Sequence, residues 1–324
     1  MRCRERRDAA DGGAEEFLVL DPEALYELAG TTAELDRPVL VQAMTGFIDA
    51  GGARQLARNH LMSTLPHEPL VTFDVDQLFD YRARRPPMLF LRDHWESYDD
   101  PVLAIHVLRD GAGTPFLLLD GPEPDAQWER FTTALQTLVA RLGVRLTVGL
   151  DAIPMAVPHT RPVGVTAHAT RPELVAGFEP WINAVQVPAS AGHLLEYRLG
   201  QAGHDAAGFA AHVPHYVAQI EYPAAAQALL EVTSKVSGLL LPTEELRLAA
   251  ERVRTDIGEQ VSQSTDVASV VAALETQYDA FVAERGRDDL LGDGERRLPT
   301  ADELGAELER FLAQQTHGGE GSER

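Results

Sequence analysis

Seven consecutive residues, Pro38-Val39-Leu40-Val41-Gln42-Ala43-Met44, are apolar apart from Gln42. Side chains of a strand alternate between its two faces. An apolar run without alternation therefore needs cover on both sides, as in a parallel sheet with a helical layer on each face. Thr45-Gly46 breaks the run, and a helical segment is predicted from about Asp49 to Leu65.

Further strands are predicted at Leu70–Val75, Val102–Leu108, Pro115–Leu119, Arg145–Leu150, Val163–Ala169 and Ala184–Val187. Trp128, Phe131, Leu135, Leu138, Val139 and Leu142 recur at spacings of three and four, so they mark one helix face, and Gly143 is a natural stop. Strand, helix and strand joined by short links predict an α/β fold with a parallel sheet. After about residue 223 only helical patterns follow. Pro223 opens one helix and Gly238 closes it. Thr243 can cap a second, with Leu246, Ala249, Val253, Ile257 and Val261 on one face. Ser264 or Thr265 can cap a third, striped by Val267, Val270, Val271, Leu274, Tyr278, Phe281 and Val282 and ending at Gly286. Thr300 and Glu303 form a capping-box pattern for a fourth. The expected organisation is a tail at 1–16, an α/β core at 17–240, a helical extension at 241–313 and a second tail at 314–324.

The formal net charge of −22 disfavours phosphate backbones and anionic lipid surfaces as partners. Nearly half of it lies in residues 244–324, with nineteen acidic and nine basic side chains. Lys235 is the single lysine, which with the abundant alanine reads as a coding bias. A Schiff-base enzyme or a P-loop NTPase needs a lysine, and no glycine-rich loop precedes Lys235, so a P-loop nucleotide site is excluded. The single cysteine, Cys3, permits no internal disulfide and no cysteine zinc site. The charged stretch Met1–Glu16 is no secretory signal, and no run approaches the roughly 18 apolar residues of a membrane span. A cytoplasmic location is the resulting expectation.

Three segments could form a ligand pocket. The first, Thr45-Gly46-Phe47-Ile48-Asp49-Ala50-Gly51-Gly52, lies where a strand gives way to a helix, the usual ligand position in open α/β sheets. Asp49 opposes an anion there but can cap the helix. The glycine spacing does not match a dinucleotide fingerprint. The second combines Asp151 with Pro158-His159-Thr160-Arg161-Pro162, where His159, Thr160 and Arg161 could hold a phosphate or carboxylate or could knit the loop. The third runs from Gly192 to Tyr222 and holds His193, His204, His212 and His215 beside Glu196, Asp205 and Glu221. In an extended segment the His212/His215 spacing points the rings to opposite faces, so no metal site is assigned, and no cofactor. Thr45, Gly46, Asp49, Asp151, His159, Arg161, Glu196 and His212 are the candidate pocket residues. No Gly-x-Ser-x-Gly elbow exists, and no catalytic set can be assigned.

The segments Ala43–Gly52, Phe79-Asp80-Tyr81-Arg82-Ala83-Arg84-Arg85-Pro86, Pro158–Pro162, Leu195-Glu196-Tyr197-Arg198 and Gly208–Tyr216 together resemble the bacterial branch of the proteasome assembly chaperone 2 family. The likeness spans roughly residues 17–285. It implies a three-layer α/β/α sandwich similar to nucleoside phosphorylases and related hydrolases, followed by a C-terminal helical extension. It also implies self-association, with a trimer as one form, and proteasome subunits as protein partners. Archaeal relatives that dock on the proteasome can end in a hydrophobic-Tyr-any tail, whereas this sequence closes on Glu320-Gly321-Ser322-Glu323-Arg324. The leading expectation is a non-catalytic assembly or scaffolding protein. An enzyme acting on a small anionic or nucleoside-like ligand is the alternative. A homo-oligomer that recruits a partner through its helical extension is a third reading.

Overall fold

The computed structural model describes residues 20–29, 35–46, 48–181 and 184–288. In chain order the elements are β1 (Tyr26–Leu28), β2 (Val39–Gln42), α1 (Ala53–Thr64), β3 (His67–Phe73), β4 (Met88–Leu91), β5 (His94–Tyr98), β6 (Ala104–Arg109) and β7 (Pro115–Asp120). They continue with α2 (Trp128–Arg141), β8 (Leu146–Met155), β9 (Val165–Ala169), α3 (Ala191–Gln201), β10 (Ala206–Pro214), α4 (Pro223–Ser237), α5 (Glu244–Ser262) and α6 (Thr265–Asp288). The fourth predicted helix and both predicted tails lie outside the described residues.

Eight strands form one sheet in the order β1-β3-β6-β7-β2-β8-β10-β9. The four strands β7, β2, β8 and β10 run parallel. β6, β3 and β1 extend one side by antiparallel pairing, and β9 closes the other. The sheet is thus mixed, with a parallel centre. The tight turn at Asp110–Thr114 joins β6 to β7, and a link that short permits only an antiparallel pair.

The apolar run behaves as its pattern demands. In β2 and the residue after it, Val39, Val41 and Ala43 enter one core. Leu40 and Met44 enter the other. β7 divides the same way, with Phe116 and Leu118 on one side and Leu117 and Leu119 on the other. Helices α1, α4 and α5 cover the first face, and α2 and α3 the second, giving three layers. Each fully buried side chain of this kind contributes about 1.5–3 kcal/mol.

Helix boundaries follow local chemistry. Pro223 sits in the first turn of α4, and Gly238 ends it at φ +75°. A 3-10 turn at Ala50–Gly52 precedes α1, so regular helix begins after the predicted start at Asp49. α6 runs through Gly286 to Asp288, against the predicted stop. Ala184–Val187 forms no strand. Val185 and Val187 are exposed and Pro188 follows, so the segment finds no sheet to pair with and leads into the Ser190 cap of α3.

β4 and β5 stand apart as a two-stranded hairpin. Every residue of both strands is exposed, including Met88, Leu89, Phe90, Leu91, Trp95 and Tyr98. Such a hairpin is marginally stable alone in water.

Candidate functional site

The C-terminal end of β2 and the middle of β8 lie against the start of α3, beside the kind of crevice where open α/β sheets hold ligands. The helix approaches closely because residue 192 is glycine. A Cβ there would lie 2.9 Å from Gln42 Nε2. Ser190 caps α3 by accepting the His193 N–H at 3.1 Å. The Glu123 carboxylate accepts the Ala191 N–H at 2.5 Å, setting a negative group against the positive end of the helix.

Two linked pairs fill the crevice. Arg54, in the first turn of α1, is 3 % exposed, and its Nη1 donates to Asp151 Oδ1 at 3.0 Å. A guanidinium this deep cannot shed its charge and needs a buried anion. The other Asp151 oxygen, Oδ2, accepts from His193 Nε2 at 3.2 Å. Beside them His168 Nδ1 donates to Glu196 Oε1 at 2.8 Å. The His168 and His193 rings are 6.0 Å apart, centre to centre, at 75°. Burial works against the His168 imidazolium. The bond and charge of Glu196 and the charge of Asp151 outweigh it, so its pKa lies above the ordinary histidine value. His168 reaches over β10 because residue 208 is glycine. A Cβ there would fall 2.7 Å from His168 Nε2 and 2.9 Å from Glu196 Oε2.

This arrangement can hold a proton between imidazole and carboxylate, or gather donors around a cation.

The predicted pocket residues do not share one site. Thr45, Gly46, Asp151 and Glu196 lie at or beside the crevice. Thr45 N donates to Gly121 O and Thr45 O accepts from Glu123 N, which fixes the loop that carries Glu123. Asp49 caps α1, accepting the N–H groups of Arg54 and Gln55 at 2.8 and 3.0 Å. His159 is buried elsewhere, its Nδ1 2.7 Å from Tyr216 Oη, and burial lowers its pKa. Arg161 forms ion pairs with Glu275 and Asp279 of α6. The carboxylates occupy the guanidinium fork that the anion-binding expectation required. His212 is buried with Nε2 2.8 Å from Thr166 Oγ1 and its ring against Trp181.

Sequence reasoning passed over Arg54, Glu123 and His168. His168 had a signal, as a titratable side chain inside a predicted apolar strand. Arg54 and Glu123 had none, because long-range pairing selects them from many equivalent charges.

The PAC2 family model matches residues 43–261. The Mycobacterium tuberculosis protein Rv2714, of unknown function, is 51% identical over 86% of this chain and 96% of its own, with a TM-score of 0.78. A Corynebacterium glutamicum protein of unknown function is 39% identical over 80% of this chain and 98% of its own, with a TM-score of 0.76. The M. tuberculosis proteasome-assembly chaperone homologue Rv2125 is 29% identical over 72% of this chain and 99% of its own, with a TM-score of 0.67. Comparison with curated proteins gives no match. Among the described residues, no helix is long and apolar enough to cross a membrane.

Proposed function

Because the chain belongs to the PAC2 family, we propose that it is a non-catalytic, cytoplasmic assembly-chaperone-like scaffold that self-associates and engages protein partners, proteasome subunits among them. The likeness to the M. tuberculosis proteasome-assembly chaperone homologue supports this reading.

The observation that carries it is the β4–β5 hairpin. Trp95 is 62 % exposed, and Leu89 and Phe90 are each 54 % exposed. Contiguous exposed apolar surface with aromatic anchors marks protein interfaces. Phe90 and Trp95 stack edge to face at 5.1 Å, so the anchors are held in place before any partner arrives.

Tagged protein is purified from its own cells, its co-purifying proteins are identified, and its mass is measured by light scattering. Wild type is expected to recover as an oligomer with bound partners. The variant Phe90→Asp/Trp95→Asp is expected to lose one or both while keeping its helical circular dichroism. A monomeric wild type that recovers alone, or a variant indistinguishable from it, sinks the reading.

A further inference from the structure

Asp151, His168 and His193 each offer one ligand atom, and these atoms all lie within 4.8 Å of one another. They come from β8, β9 and α3, so the fold and not a local turn brings them together. We propose that they form a binding site for a divalent transition-metal cation, with Zn2+ favoured by a donor set of two imidazoles and one carboxylate. The proposal is independent of the scaffold reading.

The separations suit such an ion. Two ligands at about 2.0–2.1 Å from a tetrahedral zinc lie about 3.3 Å apart. Asp151 Oδ2 and His193 Nε2 are 3.2 Å apart, close to the length of one such edge, and a bound ion would replace the proton they share. A side-chain adjustment of His168 closes the others.

Outer contacts hold the ligands as metal sites require. Glu196 Oε1 takes the His168 Nδ1 proton at 2.8 Å, which fixes the tautomer and leaves Nε2 as the ligand nitrogen. Arg54 Nη1 donates to Asp151 Oδ1, leaving Oδ2 for the ion. Ser190 fixes the turn that carries His193. Gly208 supplies the floor, since any larger residue would push His168 off its line.

The charges agree. Asp151, Glu123 and Glu196 bring three carboxylates to the crevice, where Arg54 is the buried guanidinium. A dication would add positive charge among these carboxylates, where unbalanced buried charge is costly. Three protein ligands leave one tetrahedral position for water or for a donor on a partner.

The test uses full-length protein stripped with chelator and titrated with ZnCl2 by calorimetry, with bound metal counted after desalting. Wild type is expected to bind one Zn2+ per chain. His168→Ala and His193→Ala are each expected to weaken binding at least tenfold. Glu196→Gln is expected to weaken it roughly 10–100-fold without changing the stoichiometry. His94→Ala serves as a control. His94 is an exposed histidine between Asp93 and Glu96, and its removal should leave the event unchanged. Asp151→Asn strands the buried Arg54 and can unfold the chain. His168→Ala therefore decides the matter, because that side chain is 38 % exposed and its loss leaves Arg54 paired. Co2+ in place of Zn2+ adds a spectrum, with tetrahedral d–d bands expected in wild type and lost in His168→Ala. A wild type that binds no Zn2+, or binding that survives His168→Ala and His193→Ala undiminished, overturns the proposal.

Discussion

Arg161 grips Asp279 as a fork, its Nε 2.8 Å from Oδ1 and its Nη2 2.6 Å from Oδ2. This pair, with Glu275 3.3 Å from Arg161 Nη1, ties the β8–β9 connection to α6. Thr160 also donates its hydroxyl to Glu275, and the Tyr278 hydroxyl donates to Pro162 O at 3.2 Å.

Arg161→Ala should therefore loosen α6 while sparing the core. Amide exchange in residues 265–283 is expected to accelerate in the variant, with the main unfolding midpoint little changed. Arg161→Lys should reproduce most of the effect, because an ammonium cannot make the two-pronged contact. Salt should move wild type toward the variant, since these charges are partly exposed. Unchanged exchange in α6 would show that apolar contacts alone hold it.

Much of this fold was legible from residue patterns. The apolar run at 38–44 gave a central strand covered on both faces, and the Trp128–Leu142 stripe gave α2 nearly to the residue. The α5 stripe also points inward, with Leu246 and Ile257 buried. In α6 the stripe divides. Val271 and Leu274 are buried, but Val267, Val270 and Val282 are exposed. The family resemblance agrees with the matched family model. What stayed illegible depended on partners distant in sequence. β1 is three residues long and exists through its pairing with β3. β10 is buried throughout, yet four of its nine residues are alanine, which carries no strand signal. The crevice was half visible. Asp151 and Glu196 were named, but the pairing of Asp151 with Arg54 spans 97 residues and no local pattern encodes it.

Asp110 should make stability depend on acid pH. It is buried, and its Oδ1 accepts the N–H groups of Ala112 and Thr114 at 2.9 and 2.8 Å. Its Oδ2 accepts that of Leu240 at 2.8 Å, pinning the β6–β7 turn to the linker after α4. Burial raises its pKa, but the three backbone donors outweigh that and set it below the ordinary aspartate value. The unfolded value is about 3.9. The contribution is therefore complete above about pH 4 and lost as pH falls through the lower folded value. Asp110→Asn should cost about 1.5–3 kcal/mol at pH 7. Its urea midpoint should draw closer to that of wild type as pH falls below about 4. A gap that stays constant from pH 7 to pH 3 would exclude an ionic origin.

Gly208→Ala should destabilise by about 1–3 kcal/mol, because an added methyl collides with the His168 ring in a strand with no slack. Removing the obstacle should restore part of the loss. In the double variant Gly208→Ala/His168→Ala the two effects are expected to couple by roughly 0.5–3 kcal/mol. Chemical denaturation of the four proteins measures this directly. Strict additivity would mean that the ring does not lie over residue 208.

Ile257 tests whether α5 is a separate extension or part of the core. It is 5 % exposed and joins the cluster built by α1, α4 and the inner strands, as does Leu246. If α5 folds with that cluster, Ile257→Ala should lower the single unfolding transition by about 2–5 kcal/mol. Val270→Ala, on the exposed side of α6, should stay within about 0.5 kcal/mol of wild type. The contrast arises because Ile257 leaves a cavity against α4, while Val270 gives up only solvent-facing surface. Removing residues 244–324 would then expose the same cluster and destabilise the whole sheet. A different outcome for Ile257→Ala is equally readable. An early transition confined to helical signal, followed by a main transition at the wild-type midpoint, would make residue 241 a true boundary.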